Sequence, residues 1–195
     1  MRVLLGITGA SGAAFAVDFL RRCPGERYLV VSDWGKAVLQ DELGLAPRDL
    51  APAAAGLFSD HDLAAPFASG TNRYDAMVIL PCSLTTLSKI AAGIGDTLIT
   101  RAAQVALKER MRLILALRET PLSSLALENA LKVSREGGVI APIMPPFYHR
   151  PATVEEVVAG FTDKLLALLG VDTGPGWRAE RLRNAPPSGP DPHAV

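Results

Sequence analysis

The run Leu113-Ile114-Leu115-Ala116-Leu117 is apolar at every position and breaks directly into Arg118-Glu119-Thr120-Pro121-Leu122. A strand with one wet face alternates apolar and polar residues. Five apolar residues in a row, bounded by charge and proline, predict a strand buried on both faces. Such strands need helices on both sides of a sheet, and the rest of the chain supplies them. Arg2–Ile7 reads as a first buried strand, which Gly9-Ala10-Ser11-Gly12 turns into a helix through about Arg22. Arg27–Ser32 and Ala76–Leu80 are the next strands, the latter stopped by Pro81; Arg112–Leu117 is the fourth and Gly138–Ala141 a short fifth. Helices are predicted over Trp34–Leu43, over Ser83–Arg110 in two pieces broken near Gly93 and Gly95, over Ser124–Glu136, and over Val154–Leu169. Pro47–Asn72 is looser, with room for a short helix. Strands alternating with helices imply an α/β fold built on a doubly wound parallel sheet with right-handed crossovers.

At 195 residues, 49% of them apolar, the chain is long enough for one full core. The expected organisation is a single domain over 1–173 and a proline-rich tail, 174–195, that is partly mobile. Formal charge is zero, so no electrostatic footprint for nucleic acid or an anionic membrane exists, and basic residues are read locally. Cys23 and Cys82 are far apart with no CxxC, which supports neither a disulfide framework nor a zinc site. Met1–Gly12 runs straight into a strand and a glycine turn, leaving no room for a signal peptide, and no apolar stretch reaches membrane-spanning length. A soluble, cytoplasmic protein is expected.

Several strand ends carry residues suited to a ligand, and open α/β sheets bind ligands at the carboxyl ends of their strands. The turn Gly6-Ile7-Thr8-Gly9-Ala10-Ser11-Gly12 feeds a helix N-terminus, whose free N–H groups and positive dipole end attract an anion. Its spacing is not G-x-G-x-x-G, so a nicotinamide cofactor is not indicated. Ser11 reads equally as helix N-cap or ligand group, and Asp33 as a ribose-binding acid or a cap. Pro81-Cys82-Ser83-Leu84-Thr85-Thr86 brings small hydroxyls to a second helix N-terminus on the same edge, with Cys82 read as a buried filler. Arg101 and Lys108 lie two turns apart, roughly 10 Å, on one face of a mostly apolar helix and so require partners, a phosphate or a neighbouring subunit. Prolines stiffen Pro145-Pro146-Phe147-Tyr148-His149-Arg150-Pro151 and hold Tyr148 and His149 at the ligand edge.

These motifs together resemble one family. Gly6-Ile-Thr-Gly-Ala-Ser-Gly12, Leu80-Pro-Cys-Ser83, Arg101-Ala-Ala103, Leu107-Lys-Glu-Arg110, Arg118-Glu-Thr-Pro-Leu122 and Phe147-Tyr-His-Arg-Pro151 are similar, in that order, to the UbiX/Pad1 flavin prenyltransferases. The resemblance runs from Arg2 to about Leu169 and extends to Trp177. It implies a Rossmann-like, flavodoxin-like flavoprotein subunit that assembles as a homododecamer of trimers. It also implies metal-independent transfer of a dimethylallyl group from dimethylallyl monophosphate to N5 and C6 of reduced FMN, the product serving UbiD-type decarboxylases.

Carried over residue by residue, the resemblance places FMN on Gly9, Ala10, Ser11, Ser32, Ser83, Leu84, Thr85, Thr86 and Arg118. It places the prenyl phosphate on Lys108, Arg118, Glu119, Tyr148 and Lys164, with Arg101 nearby. Ser11, Glu42, Lys108 and Glu119 are the expected catalytic residues, with several groups supplied by neighbouring subunits. Small residues at Ala68-Ser69-Gly70 are expected to leave space for the allyl group. Three positions depart from relatives: Gln104 replaces an aspartate, Lys164 an arginine, and Leu63 a tryptophan for which Trp34 is a candidate substitute. The competing readings are an FMN-dependent cysteine-type decarboxylase and a non-catalytic flavin-binding subunit.

Overall fold

The computed structural model describes residues 1–174, 176 and 178. Trp177 and nearly all of the tail expected to be mobile lie outside the described residues. Six strands, β1 (Arg2–Ile7), β2 (Glu26–Val31), β3 (Gly56–Ser59), β4 (Ala76–Cys82), β5 (Arg112–Leu117) and β6 (Val139–Ile140), form one sheet in the order β3-β2-β1-β4-β5-β6. Every neighbouring pair is parallel. The connections carry α1 (Ala13–Arg22), α2 (Asp33–Leu43), α3 (Pro47–Leu50), α4 (Leu84–Ala91), α5 (Leu98–Lys108), α6 (Ser124–Arg135) and α7 (Val154–Leu168).

Side-chain alternation sorts the core onto the two faces. Val3, Leu5 and Ile7 of β1 join Val78, Leu80, Ile114 and Ala116 under α1 and α7. Leu4 joins Met77, Ile79, Leu113 and Leu115 under α4 and α5. β4 is buried at all seven positions and β5 at Leu113–Leu117, as the unbroken apolar run predicts. Each fully buried leucine or isoleucine there contributes about 1.5–3 kcal/mol of apolar transfer.

Two expectations need correction. Five strands are predicted and six are present among the described residues: β3 lies inside the stretch read as loose. It is a four-residue edge strand paired only to β2, with alternate residues half-buried and Leu57 41% exposed, so it carries no apolar run to betray it. Pro81 does not stop β4, which continues to Cys82. Proline removes only the amide donor. The β4–β5 register is irregular between Ile79 and Cys82, and the Pro81 carbonyl still accepts Thr8 N–H at 3.2 Å.

The chain leaves β1 toward β2 and β3 on one side, then crosses to β4 on the other. The crevice between the carboxyl ends of β1 and β4 is therefore the topological switch point, where sheets of this kind bind ligands.

Candidate active site

The turn after β1 is shaped by two close approaches. A Cβ on Gly9 would stand 2.3 Å from Trp34 Cβ, so only glycine lets the start of α2 pack on this turn. Gly12 has φ +117, in the left-handed region that glycine enters without strain, and it is the N-cap of α1. A glycine has no capping side chain. Glu42, at the far end of α2, replaces it: its carboxylate accepts Gly12 N–H at 3.0 and 3.1 Å and Ala13 N–H at 2.8 Å. This corrects the expectation that the α1 N-terminus is open to a ligand anion, because an internal carboxylate already occupies it. It also settles Ser11, which is not the cap but acts on the same carboxylate through its hydroxyl. Burial pushes the Glu42 carboxyl up, but Ser11, the Ala13 and Gly12 amides and the Arg118 charge together outweigh it and hold it below its ordinary value.

Beside this turn, a pocket of about 350 Å³ opens at the switch point. Three helix N-caps line it. Ser32 Oγ accepts Gly35 N–H at 3.1 Å, Ser83 Oγ accepts Thr86 N–H at 3.3 Å, and Thr97 Oγ1 accepts Thr100 N–H at 3.4 Å. Ser32 is thus the cap of α2, and Asp33 is a first-turn residue bonded by Lys36 at 2.8 Å and His61 at 2.9 Å. Those two partners hold the Asp33 carboxyl below its usual range. Thr8 ties β1 to β4: its hydroxyl donates to the Pro81 carbonyl at 2.8 Å and accepts Ser83 N–H at 2.8 Å. Thr85 and Thr86 line the wall; Leu84 does not, and Cys82 is fully buried, with its thiol pushed well up by burial.

Arg118 and Glu119 leave β5 on the same edge, both exposed. Arg118 N–H donates to Cys82 O at 3.2 Å, which seats it beside Ser83, and its charge reaches Glu42. Glu119 Oε1 accepts the Thr120 N–H at 3.1 Å. Tyr148 is 58% exposed on the loop after β6 and packs against His149, with ring centroids 4.2 Å apart and planes tilted by 50°.

Other predicted groups stand elsewhere in the chain. α5 starts against Asp60 at the end of β3 and delivers the chain to β5, so Lys108 lies at the opposite edge of the sheet. Its ammonium pairs with Glu109, and both pack on Gly70. Arg101 Nε donates to Ala68 O at 3.1 Å, so Ala68–Gly70 flanks this cationic side of α5 and does not line the switch-point pocket. Lys164 follows Asp163, which pairs with Arg22 at the far end of α1. A single chain therefore brings together Gly9–Gly12, Ser32, Glu42, Ser83–Thr86 and Arg118, and it keeps Lys108 and Lys164 away from them. Gln104 bonds within its own chain, donating to Ile90 O at 2.9 Å.

The pocket also contains Thr8 of the glycine turn and residues that the sequence did not single out: Asp60, His61, Lys89, Thr97, Ile99 and Thr100. Asp96-Thr97 before Leu98-Ile99 was a legible helix start. Asp60 had no signal once β3 was missed. Trp34, 77% exposed, lines the rim, and Leu63 does not. A larger cavity, about 940 Å³, lies at the other edge of the sheet among Arg2, Tyr74 and Arg112. Its size does not make it the site, since it is lined by the amino ends of β1, β2, β4, β5 and β6, whereas sheets of this kind bind ligands at the carboxyl ends. Among the described residues no helix is long and apolar enough to cross a membrane.

The family described as Flavoprotein matches residues 1–167. The flavin prenyltransferase UbiX of Thermoplasma acidophilum is 48% identical over 172 residues, covering 88% of this chain and 96% of the relative. Among solved structures, the dodecameric FMN-dependent UbiX-like decarboxylase from Escherichia coli O157:H7 has a TM-score of 0.87 at 41% identity, over 91% of this chain and 99% of its own. AnUbiX (PadA1), solved in complex with FMN and dimethylallyl pyrophosphate, has a TM-score of 0.85 at 38% identity, over 91% of this chain and 98% of its own. The cypemycin decarboxylase CypD, at 16% identity and a TM-score of 0.61, shares the fold alone. With the strand order, the switch-point pocket and these similarities in agreement, the chain belongs to the UbiX/Pad1 flavin prenyltransferase family.

Proposed function

We propose that the chain transfers a dimethylallyl group from dimethylallyl monophosphate to N5 and C6 of reduced FMN, and that the prenylated product is handed to a UbiD-type decarboxylase in the cytoplasm. The observation that carries this reading is the gathering of three N-capped helix starts, Glu42 and Arg118 at one switch point. The donor set fits FMN: the helix starts and hydroxyls of Ser32, Ser83, Thr86 and Thr97 suit a phosphate and a polyol. Trp34, exposed at the rim, offers apolar surface for a flat ring. Residues 1–173 form the FMN-binding unit.

When bound, reduced FMN supplies the nucleophilic ring atoms that accept the allyl carbon. The chain's own task is the leaving group. As the allyl C–O bond lengthens, negative charge builds on the phosphate, and donors already aimed at it lower the barrier. Arg118 and Tyr148, on the segments that follow β5 and β6, are the donors this chain offers for it. Lys108, Lys164 and Arg101 reach a phosphate only from neighbouring subunits, which makes the homo-oligomer, read as a dodecamer, part of the site. Charge-assisted hydrogen bonds contribute about 1.5–3 kcal/mol each, and only the part that strengthens with the developing charge is catalytic. Glu42, an ionised acceptor beside Ser11, is placed to take up and return a proton. Glu119 assists the phosphate.

The test is anaerobic incubation of the protein with reduced FMN and either dimethylallyl monophosphate or diphosphate. A flavin heavier by one dimethylallyl group in the mass spectrum is expected with the monophosphate. Bound FMN with no adduct from either donor would falsify the reading.

A further inference from the structure

Asp60 is the one deeply buried carboxylate in the pocket wall, 5% exposed. It follows directly on β3 and grips the start of α5 with two acceptors. Its carbonyl takes Leu98 N–H at 2.7 Å and its Oδ1 takes Ile99 N–H at 2.8 Å. Its second oxygen, Oδ2, has no protein donor among the described residues. The only buried side-chain polar atoms there that lack a partner and are shut off from solvent are Arg27 Nε and Thr162 Oγ1. Oδ2 therefore keeps solvent access, and the pocket Asp60 lines is where that access lies.

An oxygen so nearly buried and without a protein donor takes its hydrogen bond from whatever fills the pocket, so a ligand that displaces water there must bring a donor of its own. No basic side chain of the pocket provides one: Lys89 is paired with Asp96 at 2.7 Å and His61 with Asp33 at 2.9 Å. An anion is repelled from this spot. An uncharged hydroxyl is what the oxygen can accept. Thr8, Thr97 and Thr100 line the same pocket with groups that both donate and accept, the pattern that a polyol matches.

We propose that Asp60 Oδ2 accepts a hydrogen bond from one hydroxyl of the ribityl chain of FMN and thereby fixes which way round the molecule lies, polyol against Asp60 and phosphate away from it. The proposal rests on the FMN reading of the pocket and names a residue that binds the cofactor outside the motifs of the family.

Affinities of the full chain for oxidised FMN and for 2′-, 3′- and 4′-deoxy-FMN, read by flavin fluorescence, test it. One deoxy analogue is expected to bind the wild type about tenfold more weakly than FMN, the loss typical of a charge-assisted hydrogen bond. In Asp60→Ala that penalty shrinks to less than about twofold. Asp60→Asn keeps an acceptor for Ile99 N–H and folds as the wild type does, with a penalty between the two. Equal affinity of the wild type for all four flavins overturns the proposal, as does an unchanged penalty in Asp60→Ala. A wild-type chain that binds no FMN at all overturns the FMN reading, and the proposal with it.

Discussion

The Glu42 carboxylate closes the N-terminus of α1 by accepting the backbone N–H of Gly12 at 3.0 and 3.1 Å. The end of α2 is thereby fastened to the turn after β1, and at neutral pH a negative charge sits at a helix start that a ligand anion would otherwise compete for. Two consequences of the same turn, and one of the separation between Lys108 and Glu119, are open to measurement.

Glu42→Gln is expected to destabilise the fold at neutral pH by on the order of 1 kcal/mol or less, since the carboxylate is partly solvated and the helix-end effect is modest. The carboxyl is held below its ordinary value in the folded chain. A group with a depressed folded pKa stabilises above the unfolded value, about 4.3 for glutamate, and that stabilisation is lost as pH falls through the folded value. Denaturant titrations from pH 7 to pH 3 should show the wild type's advantage present at neutral pH and closing on the acid side. An advantage that persists undiminished at the acid end would mean that the charge is not what Glu42 contributes.

Gly9→Ala places its new methyl 2.3 Å from Trp34 Cβ and 3.4 Å from the Trp34 backbone. Overpacking of this kind costs about 1–3 kcal/mol. Because the collision is with Cβ, Trp34→Ala should not rescue Gly9→Ala, whereas Trp34→Gly should recover much of the loss. A double-mutant cycle by thermal melts decides it. Rescue by alanine would place the conflict at the indole ring instead.

Lys108 and Glu119 stand at opposite edges of one chain. If both serve one prenyl phosphate, they come from different subunits. Lys108→Ala and Glu119→Gln should each lose prenylation by tenfold or more, the scale of one charge-assisted contact. Oligomers reassembled from a mixture of the two variants should regain activity, since some sites pair two intact contributors. Mixed oligomers as inactive as their parents would show that each chain builds its own site.

Which parts of this molecule could be read from sequence follows from where the information is local. Leu113–Leu117 and Ala76–Leu80 announce doubly buried strands by composition alone, and the alternation with helices gives the parallel sheet. The family motifs then point to the switch-point edge, because Gly9–Gly12, Ser83–Thr86 and Arg118 each follow a strand directly. What escaped was non-local. β3 is a half-exposed edge strand whose only partner, β2, is more than twenty residues back, so its alternation is too short to register. Asp60 went with it.

The sequence by itself determined the layers, the ligand edge and the residues at each strand end, because apolar runs and turn residues act over a few neighbours. Only the tertiary structure decided which of those residues meet. It gave the α1 N-terminus to Glu42 from thirty residues away, set Asp60 against the first turn of α5, and kept Lys108 and Lys164 from the pocket of their own chain. Such pairings depend on how helices cross the sheet and where each one ends, and no short stretch of sequence encodes that.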